Sequence, residues 1–133
     1  MERVSSIRVM IVEDFLSFRQ YIRSKLEKRP VLQVIFEAAD GLEAVQKAQE
    51  LHPDLILLDI GLPTLSGTEA ARRIRALVPD ARIIFLSQET SEEFIQQAAD
   101  LGVQGYVFKT HAEVDLLPAI DAVLSGNRFV SGA

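Results

Sequence analysis

The chain alternates between short runs of apolar residues and longer stretches in which apolar residues recur every three or four positions. The first pattern is typical of buried β-strands and the second of amphipathic helices. Each run is followed by such a stretch, and this order predicts repeated βα units around a parallel sheet. The predicted strands are residues 7–12, 31–36, 55–58, 82–86 and 105–108.

The composition of these runs indicates where the strands lie in the sheet. Three of them are short and continuously apolar, as strands covered by helices on both faces are. The run at 31–36 contains Gln33 and suits an edge strand. We therefore predict a doubly wound α/β fold of the flavodoxin type, (βα)5, with five parallel strands in the order 2-1-3-4-5.

The predicted helices carry apolar residues on one face. These residues are Phe15, Phe18, Ile22 and Leu26 in the first helix, Ala44, Val45, Ala48 and Leu51 in the second, Ala70, Ala71, Ile74 and Leu77 in the third, Phe94, Ile95, Ala98 and Leu101 in the fourth, and Val114, Leu117, Ile120 and Leu124 in the fifth. Pro118 fits badly, because it removes the backbone donor toward Val114 and costs up to about 3 kcal/mol inside a helix. We expect the fifth helix to kink or to begin late.

Length and composition are those of one globular domain. The chain has 133 residues, of which 48% are hydrophobic and 25% charged, and no Gly/Ser-rich or Pro-rich linker divides it. We assign residues 1–126 to the domain and 127–133 to a C-terminal tail or the start of a linker. The absence of cysteine excludes disulfides, thiolate metal sites and thiol catalysis.

Charge and the N-terminal sequence exclude further classes. The chain reaches Glu13-Asp14 before any apolar stretch long enough for a signal peptide or a membrane span, which predicts a cytoplasmic protein. The formal net charge is −5, and no basic stripe interleaved with aromatic residues indicates a nucleic-acid surface. The cluster of Arg72, Arg73 and Arg75 lies in a helical pattern, and we interpret it as a solvated helix face.

Polar residues follow or end four of the predicted strands: Glu13-Asp14, Asp59, Ser87 and Lys109. Right-handed crossovers make all strands of such a sheet point the same way, so these residues share one edge. In the order 2-1-3-4-5 the winding reverses between the first and third strands, and ligands bind in the crevice there. The acidic pair and Asp59 are therefore expected to lie together.

Three clustered carboxylates repel one another at neutral pH unless a pKa rises or a cation binds. Oxygen ligands favour magnesium, manganese or calcium over zinc. A magnesium ion leaves positions for phosphate oxygens, and Lys109 and the Ser87 hydroxyl are available to hold the other oxygens. Asp59 is then a candidate nucleophile toward phosphorus, because carboxylates form aspartyl phosphates in covalent phosphoryl transfer.

Each of these residues alone also has a structural interpretation. Asp14 can cap the first helix, Asp59 can satisfy turn amides, Ser87 can end a strand, and Lys109 can be a surface lysine. Their coincidence at one edge of the sheet favours the functional interpretation.

Several motifs, in order and spacing, resemble the receiver domain of bacterial two-component response regulators over residues 7–126. They are VMIVED at 9–14, AADGLEAV at 38–45, LILLDIGLPTLSG at 55–67, IIFLS at 83–87 and GYVFK at 105–109. The segments ARRIR, GVQGYVFK and GNRFVS look most like the subfamily whose members continue into a LuxR-type helix-turn-helix domain.

The resemblance implies a role for each residue of the predicted site. Asp59 matches the phosphoacceptor, which takes a phosphoryl group from a histidine kinase or a small acyl phosphate. Glu13 and Asp14 match the acidic pair that holds magnesium together with Asp59 and the backbone carbonyl of Gly61, Asp14 directly and Glu13 through water. Lys109 matches the lysine that pairs with a phosphoryl oxygen.

The resemblance also implies a switch. Ser87 matches the hydroxyl residue that moves toward the phosphate, Tyr106 the aromatic switch residue, and Pro63 and Gly67 positions that shape the loop after the acceptor. Phosphorylation adds negative charge and oxygens that seek donors, and drawing Ser87 inward vacates space that Tyr106 can fill. The face formed by the fourth helix, fifth strand and fifth helix is then expected to change shape.

The partners implied are a histidine kinase and, upon phosphorylation, a second copy of the chain. The chain is expected to be the regulatory part of a transcriptional regulator. We expect no enzymatic function beyond self-catalysed phosphorylation and dephosphorylation. Without a helix-turn-helix pattern or a basic recognition helix, this chain alone should not bind DNA, although a longer parent protein can carry a DNA-binding domain. Dimerisation through the first and fifth helices, or through the fourth helix, fifth strand and fifth helix, stays open.

Three positions depart from the common receiver pattern. Gln88 stands where receivers usually have a small residue, and we hypothesise that it partly covers the site and slows both donor entry and hydrolysis. Glu89 can either orient or repel an attacking water. Gly61 offers no side chain where many receivers have a polar residue, although its carbonyl can still bind metal.

Other functions are less consistent with the sequence. An interaction module that works without phosphorylation typically lacks one of the site residues, all of which are present here. A phosphatase with an aspartate nucleophile needs a second aspartate two residues on, where the chain has Gly61, and a nucleotide binder needs a Gly-rich turn after the first strand. His52 and His111 lie far apart in sequence, and we expect surface or capping roles for them.

Overall fold

The structure is a computed structural model that describes residues 6–132. Residues 1–5 of the predicted domain and residue 133 of the predicted tail lie outside this range. Strands and helices alternate within it: β1 (Ile7–Val12), α1 (Leu16–Leu26), β2 (Leu32–Ala38), α2 (Gly41–Leu51), β3 (Leu55–Asp59), α3 (Gly67–Leu77), β4 (Arg82–Ser87), α4 (Glu92–Asp100), β5 (Gly105–Phe108), α5 (Ala112–Leu124) and β6 (Phe129–Val130). A 3₁₀ turn, Lys109–His111, joins β5 to α5.

The strands form one parallel sheet in the order β2-β1-β3-β4-β5-β6. The predicted order of the first five strands is confirmed, and β2 lies at the edge as Gln33 indicated. The winding reverses between β1 and β3, so a crevice opens where these two strands end.

Alternate side chains of the inner strands build two cores, one on each face of the sheet. Met10, Ile56 and Phe85 belong to the core that α2, α3 and α4 cover. Ile11 and Leu57 belong to the core that α1 and α5 cover. Burying an aliphatic side chain of this size contributes about 1.5–3 kcal/mol, so helices on both faces account for the continuously apolar strands.

The sixth strand corrects the prediction of a C-terminal tail over residues 127–133. Gly105 and Tyr106 of β5 pair with Phe129 and Val130 of β6. The backbone N–H of Phe129 donates to the Gln104 carbonyl at 3.1 Å. A strand of two residues is too short to give an apolar run of its own, and it exists because the edge of β5 offers free backbone donors and acceptors.

Ser131 fastens this strand to the domain. Its side chain is buried, its backbone N–H donates to the Tyr106 carbonyl at 2.9 Å, and its Oγ accepts from the Phe108 N–H at 3.1 Å. The same hydroxyl donates to Oδ2 of Asp115 on α5 at 2.7 Å. A single side chain therefore links β5, β6 and α5.

Three residues predicted to lie on buried helix faces are exposed. Phe15 precedes α1 as its N-cap residue and is 66% exposed, Leu77 at the end of α3 is 45% exposed, and Val114 is 74% exposed. Since α5 is apolar around much of its circumference, spacing alone does not fix which face turns inward. The buried face of α5 consists of Ala112, Leu116, Ala119, Ile120 and Val123.

Of the two alternatives that Pro118 left open, a kink or a late start of the fifth helix, the late start is wrong. The helix begins at Ala112 and runs through Pro118 to Leu124. Both Pro118 and Val114 are exposed. The Val114 carbonyl, which lacks its helical donor, can therefore bond to water, and this reduces the cost of the proline.

Between residues 6 and 132, no helix combines the length and the apolar character that crossing a membrane requires.

Replacing Ser131 with Ala should lower the free energy of unfolding by about 1–3 kcal/mol, because the buried Phe108 N–H loses its acceptor. Urea denaturation followed by circular dichroism measures this change. Ser125→Ala, at an exposed serine just after α5, is the matched control and should change stability by less than about 0.5 kcal/mol. Equal effects of the two substitutions would show that the Ser131 hydroxyl does not stabilise the domain.

Candidate functional site

The predicted site residues meet in one cavity at the carboxyl edge of the sheet. β1, β3, β4 and β5 all end there, and the cavity has a volume of about 460 Å³. Its lining includes Glu13, Asp14, Asp59, Gly61, Ser87 and Lys109. The sheet thus brings together residues that are up to 96 positions apart, from Glu13 to Lys109.

The three carboxylates form a compact cluster. Glu13, Asp14 and Asp59 each present an oxygen, and these oxygens all lie within 4.8 Å of one another. Glu13 and Asp59 are buried, whereas Asp14 is exposed. Hard oxygen donors at such separations suit a hexacoordinate divalent cation that keeps several waters on its open side. The donor set therefore fits magnesium.

Asp14 does not act as a helix cap. The N-cap residue of α1 is Phe15, and no side chain makes a capping hydrogen bond there. The structural interpretation of Asp14 is therefore not supported, and its carboxylate is free to serve the cluster.

Lys109 supplies positive charge to this cluster. Its Nζ lies 2.7 Å from Oε1 of Glu13 and 3.4 Å from Oδ1 of Asp59. The ammonium also lies 4.9 Å from the centre of the Phe18 ring, a cation–π arrangement that holds it on the α1 side. With 15% of its side chain exposed, Lys109 is not an ordinary surface lysine.

Glu13 is the most strongly perturbed carboxyl of the cluster. Burial raises its pKa to about 7, and the charge of Asp59 acts in the same direction, while the contact with Lys109 and the Phe15 N–H lower it. The Phe15 N–H donates to Oε2 at 3.1 Å. Within residues 6–132, Oε1 is buried without a well-directed hydrogen bond, although Lys109 is at ion-pair distance. The charge of Lys109 therefore compensates this oxygen.

The loop after β3 shapes the surroundings of Asp59. Oδ1 of Asp59 accepts from the Gly61 N–H at 3.2 Å, so the carboxylate also satisfies a turn amide, as its structural interpretation predicted. Gly67 starts α3 against the backbone of Asp59, and a Cβ at Gly67 would lie 2.1 Å from the Asp59 carbonyl oxygen. The carbonyl of Pro63 accepts from the Gly41 N–H at 3.4 Å and ties the loop to α2.

Ser87 and Tyr106 are connected through one residue of the β4–α4 loop, Glu89. Oγ of Ser87 accepts from the Glu89 N–H at 2.9 Å, and the Tyr106 hydroxyl donates to the Glu89 carbonyl at 2.8 Å. Tyr106 is 2% exposed and packs edge-on against Phe85 and Phe108. Burial raises the pKa of Tyr106 above its ordinary value. Tyr106 is thus buried and bonded to the β4–α4 loop, and its predicted role as a switch stays a prediction.

The amino-acid sequence was compared with those of known proteins. The profile of the response regulator receiver domain matches residues 9–121, which is most of the chain. The chain belongs to this family.

The curated relatives of this receiver domain are longer proteins. The transcriptional regulatory protein DegU of Brevibacillus brevis is 29% identical over 126 residues, which cover 95% of this chain and 53% of that protein. The response regulator protein VraR of Staphylococcus aureus is 34% identical over 115 residues, which cover 86% of this chain and 55% of that protein. The chain spans about half the length of the curated relatives it matches.

Solved structures agree with the fold. A two-component response regulator of the LuxR family from Aurantimonas sp. SI85-9A1 is 37% identical with a TM-score of 0.91, over 96% of this chain and 91% of that one. The receiver domain of NarL from Mycobacterium tuberculosis has a TM-score of 0.86 at 24% identity, over 92% and 99% of the two chains, which supports the fold alone. The expected resemblance to LuxR-type response regulators is confirmed.

Two features of the receiver cavity were not predicted from the sequence. Phe15 and Phe94 line it beside Gln88 and Glu89, so its walls are partly aromatic. Both phenylalanines had been assigned to helix faces by their spacing. The position of Phe15 directly after the acidic pair was the signal that could have placed it at the rim.

The histidines lie away from the cavity lining, in roles that agree with the surface or capping expectation. His52 is the residue after α2 and adopts a left-handed conformation with φ of 46°. His111 precedes α5, and its Nδ1 lies 3.7 Å from Oδ2 of Asp115.

Replacing Gly67 with Ala should lower the free energy of unfolding by about 1–3 kcal/mol and move the Asp59 backbone, because the added methyl meets backbone atoms that cannot rotate away. Gly61→Ala is the matched control, since nothing lies within 4 Å of a Cβ built there. Urea denaturation gives the stability, and amide chemical shifts of residues 59–61 report the displacement. If Gly67→Ala changes neither the stability nor the chemical shifts, α3 does not lie as close to the Asp59 backbone as the structure places it.

Proposed function

We propose that this receiver domain accepts a phosphoryl group on Asp59 from a histidine kinase, in a magnesium-dependent reaction. The observation that carries the proposal is the gathering of Glu13, Asp14 and Lys109 around Asp59 in one open cavity. Glu13, Asp14, Asp59 and the backbone carbonyl of Gly61 would hold the metal, which neutralises charge on phosphoryl oxygens when it is bound.

Asp59 supplies the nucleophile. One of its carboxylate oxygens forms a bond to phosphorus while the bond from phosphorus to the donor nitrogen or oxygen breaks, and the leaving group keeps the electron pair. The Lys109 ammonium, 3.4 Å from Asp59, is placed to stabilise negative charge on a phosphoryl oxygen. Apart from this self-modification and the later loss of phosphate to water, we propose no enzymatic activity.

The output surface is proposed to be the face of α4, β5 and α5. β6 now adds to this face, because it pairs along the edge of β5. A kinase, and a second copy of the chain after phosphorylation, are the proposed partners. Since DegU and the LuxR-family relative are regulators by name, we propose that the parent protein regulates transcription through a separate DNA-binding domain, in the cytoplasm.

Adding magnesium and then beryllofluoride should shift the amide resonances of Asp14, Asp59 and Lys109, and the change should spread to Ser87 and Tyr106. Beryllofluoride mimics a phosphoryl group without the lability of an acyl phosphate. Two-dimensional NMR of the labelled protein measures these shifts.

The matched control for this titration is Asp59→Asn, which keeps the size of the side chain and removes the charge. It should abolish the beryllofluoride shifts. A protein that responds to neither addition would not be a phosphoacceptor, and a receiver-fold interaction module that works without phosphorylation would then be the better account.

Replacing Gln88 with Ala should speed both phosphorylation by acetyl phosphate and the later loss of phosphate. Gln88 is exposed and lines both the site cavity and the adjoining groove along α1, which supports the hypothesis that it partly covers the site. Removing a partial steric cover changes an activation free energy by on the order of 1 kcal/mol, which corresponds to at most about tenfold in rate.

The control for this substitution is Gln97→Ala, at an exposed glutamine of α4 that does not line the cavity. Rates come from phosphate release and from separation of the phosphorylated form on phosphate-affinity gels. If neither rate changes in Gln88→Ala, the side chain does not gate the site.

A further inference from the structure

We propose that Arg19 is a positioning residue that holds the acidic loop at residues 13–15 in the shape that binds the divalent cation. The inference deepens the proposed function and rests on it. Arg19 lies on the first turn of α1 and does not line the site cavity, so its effect would pass through the backbone of the loop.

The geometry joins Arg19 to the loop from one side and to the sheet from the other. A terminal guanidinium nitrogen of Arg19 donates to the backbone carbonyl of Glu13 at 2.8 Å. Its Nε lies 3.3 Å from Oε1 of Glu37 on β2. The Arg19 side chain is 19% exposed and that of Glu37 28%, so the bridge is partly shielded from water.

The carbonyl that Arg19 holds belongs to the peptide that leads into Asp14. β1 ends at Val12, and the Glu13 N–H still bonds to the Ala38 carbonyl of β2 at 3.0 Å. Beyond that bond the chain leaves the sheet, and Arg19 fixes the next carbonyl. The direction of this peptide determines where the Cα of Asp14 lies.

Asp14 depends on its backbone for its position. Its carboxylate is exposed and, within the described range 6–132, accepts no hydrogen bond. Glu13, in contrast, is buried and is held through its carboxylate as well as its backbone. A loose loop would therefore displace Asp14 first, which is the carboxylate proposed to bind the metal directly.

Arg23 provides a matched control within the same helix. It is also an arginine, and it forms an ion pair with the same Glu37. Its side chain is 44% exposed and also pairs with Glu27, and within residues 6–132 it forms no hydrogen bond or ion pair with the loop. Substituting Arg23 removes an ion pair with Glu37 but leaves the Glu13 carbonyl bound.

The sign of the effect separates positioning from simple electrostatics. The guanidinium carries positive charge close to a cation site, so its charge alone opposes metal binding. Removing Arg19 would then tighten magnesium binding. If Arg19 acts by ordering the loop, its removal weakens binding, as loss of groups that orient metal ligands commonly does by 10–100-fold.

The experiment measures the magnesium affinity of the whole chain by amide chemical shifts. The unsubstituted chain is compared with Arg19→Gln, Arg19→Lys and Arg23→Gln. We expect Arg19→Gln to raise the Kd for magnesium by about tenfold. Arg19→Lys should recover part of the affinity, because an ammonium can still donate to the carbonyl. The Kd of Arg23→Gln for magnesium should stay within about twofold of that of the unsubstituted chain, as expected when an exposed ion pair is removed.

A second readout needs no metal. In EDTA, Arg19→Gln should speed hydrogen exchange of the Phe15 amide, which bonds to Glu13 across the loop, while Arg23→Gln should not. Urea unfolding of both variants shows whether a general loss of stability accompanies these changes. Unchanged or tighter magnesium binding in Arg19→Gln, or an equal loss in Arg23→Gln, would overturn the proposal.

Failure of the proposed function would look different. If the unsubstituted chain shows no response to magnesium or beryllofluoride, the phosphoacceptor assignment is wrong, irrespective of the role of Arg19. In that case the exchange rate of the Phe15 amide still decides whether Arg19 orders the loop. The other case is that the unsubstituted chain responds normally to magnesium while Arg19→Gln changes neither magnesium affinity nor exchange of the Phe15 amide. That result overturns the positioning role alone.

Discussion

The compensation of buried carboxylates by one lysine is the constraint on which the arrangement of this domain depends. Glu13 and Asp59 are taken out of water at the ends of neighbouring strands, and each buried ion without a partner costs several kcal/mol. Lys109 offsets part of this cost only if its ammonium reaches both carboxylates, as it does at 2.7 and 3.4 Å. The ends of β1, β3 and β5 must therefore be held in fixed relative positions. Four inner strands with apolar cores on both faces hold them there.

The compensation is incomplete. Among residues 6–132, Lys109 forms ion pairs with two of the three carboxylates, and burial raises the pKa of Glu13 to about 7, so the cluster holds excess negative charge or a proton at neutral pH. A divalent cation would relieve this excess. Under the proposed function the cation would compensate the charge of Glu13 in place of Lys109. The ammonium would then become available to a phosphoryl oxygen. The excess negative charge that destabilises the site without metal thus favours the binding of a divalent cation.

The sequence predicted the parts of the molecule that regular patterns determine. Buried strands must be apolar on both faces, which identified the five principal strands, and parallel topology then placed Asp59, Ser87 and Lys109 at one edge. Patterns failed where tertiary contacts decide the outcome. β6 is stabilised by the free edge of β5 and by Ser131, not by an apolar run of its own. Phe15 is exposed because α1 begins one residue after it. The bond from Arg19 to the Glu13 carbonyl gives no sequence signal at all.

The contacts around Glu89 suggest how the site and the output face are physically connected. The Ser87 hydroxyl accepts from the Glu89 N–H, and because a hydroxyl can donate while it accepts, it can bond to a phosphoryl oxygen without releasing Glu89. Movement of Ser87 would then carry the Glu89 peptide with it, and the carbonyl of that residue holds the Tyr106 hydroxyl. The backbone carbonyl of Tyr106 in turn accepts from Ser131 at the end of β6. A displacement of Ser87 would therefore act on a tyrosine that is bonded at its side chain to the β4–α4 loop and at its backbone to the C-terminal strand. Ser87, Glu89, Tyr106 and Ser131 are thus joined by consecutive hydrogen bonds, a network of the kind that can carry energetic coupling between two sites.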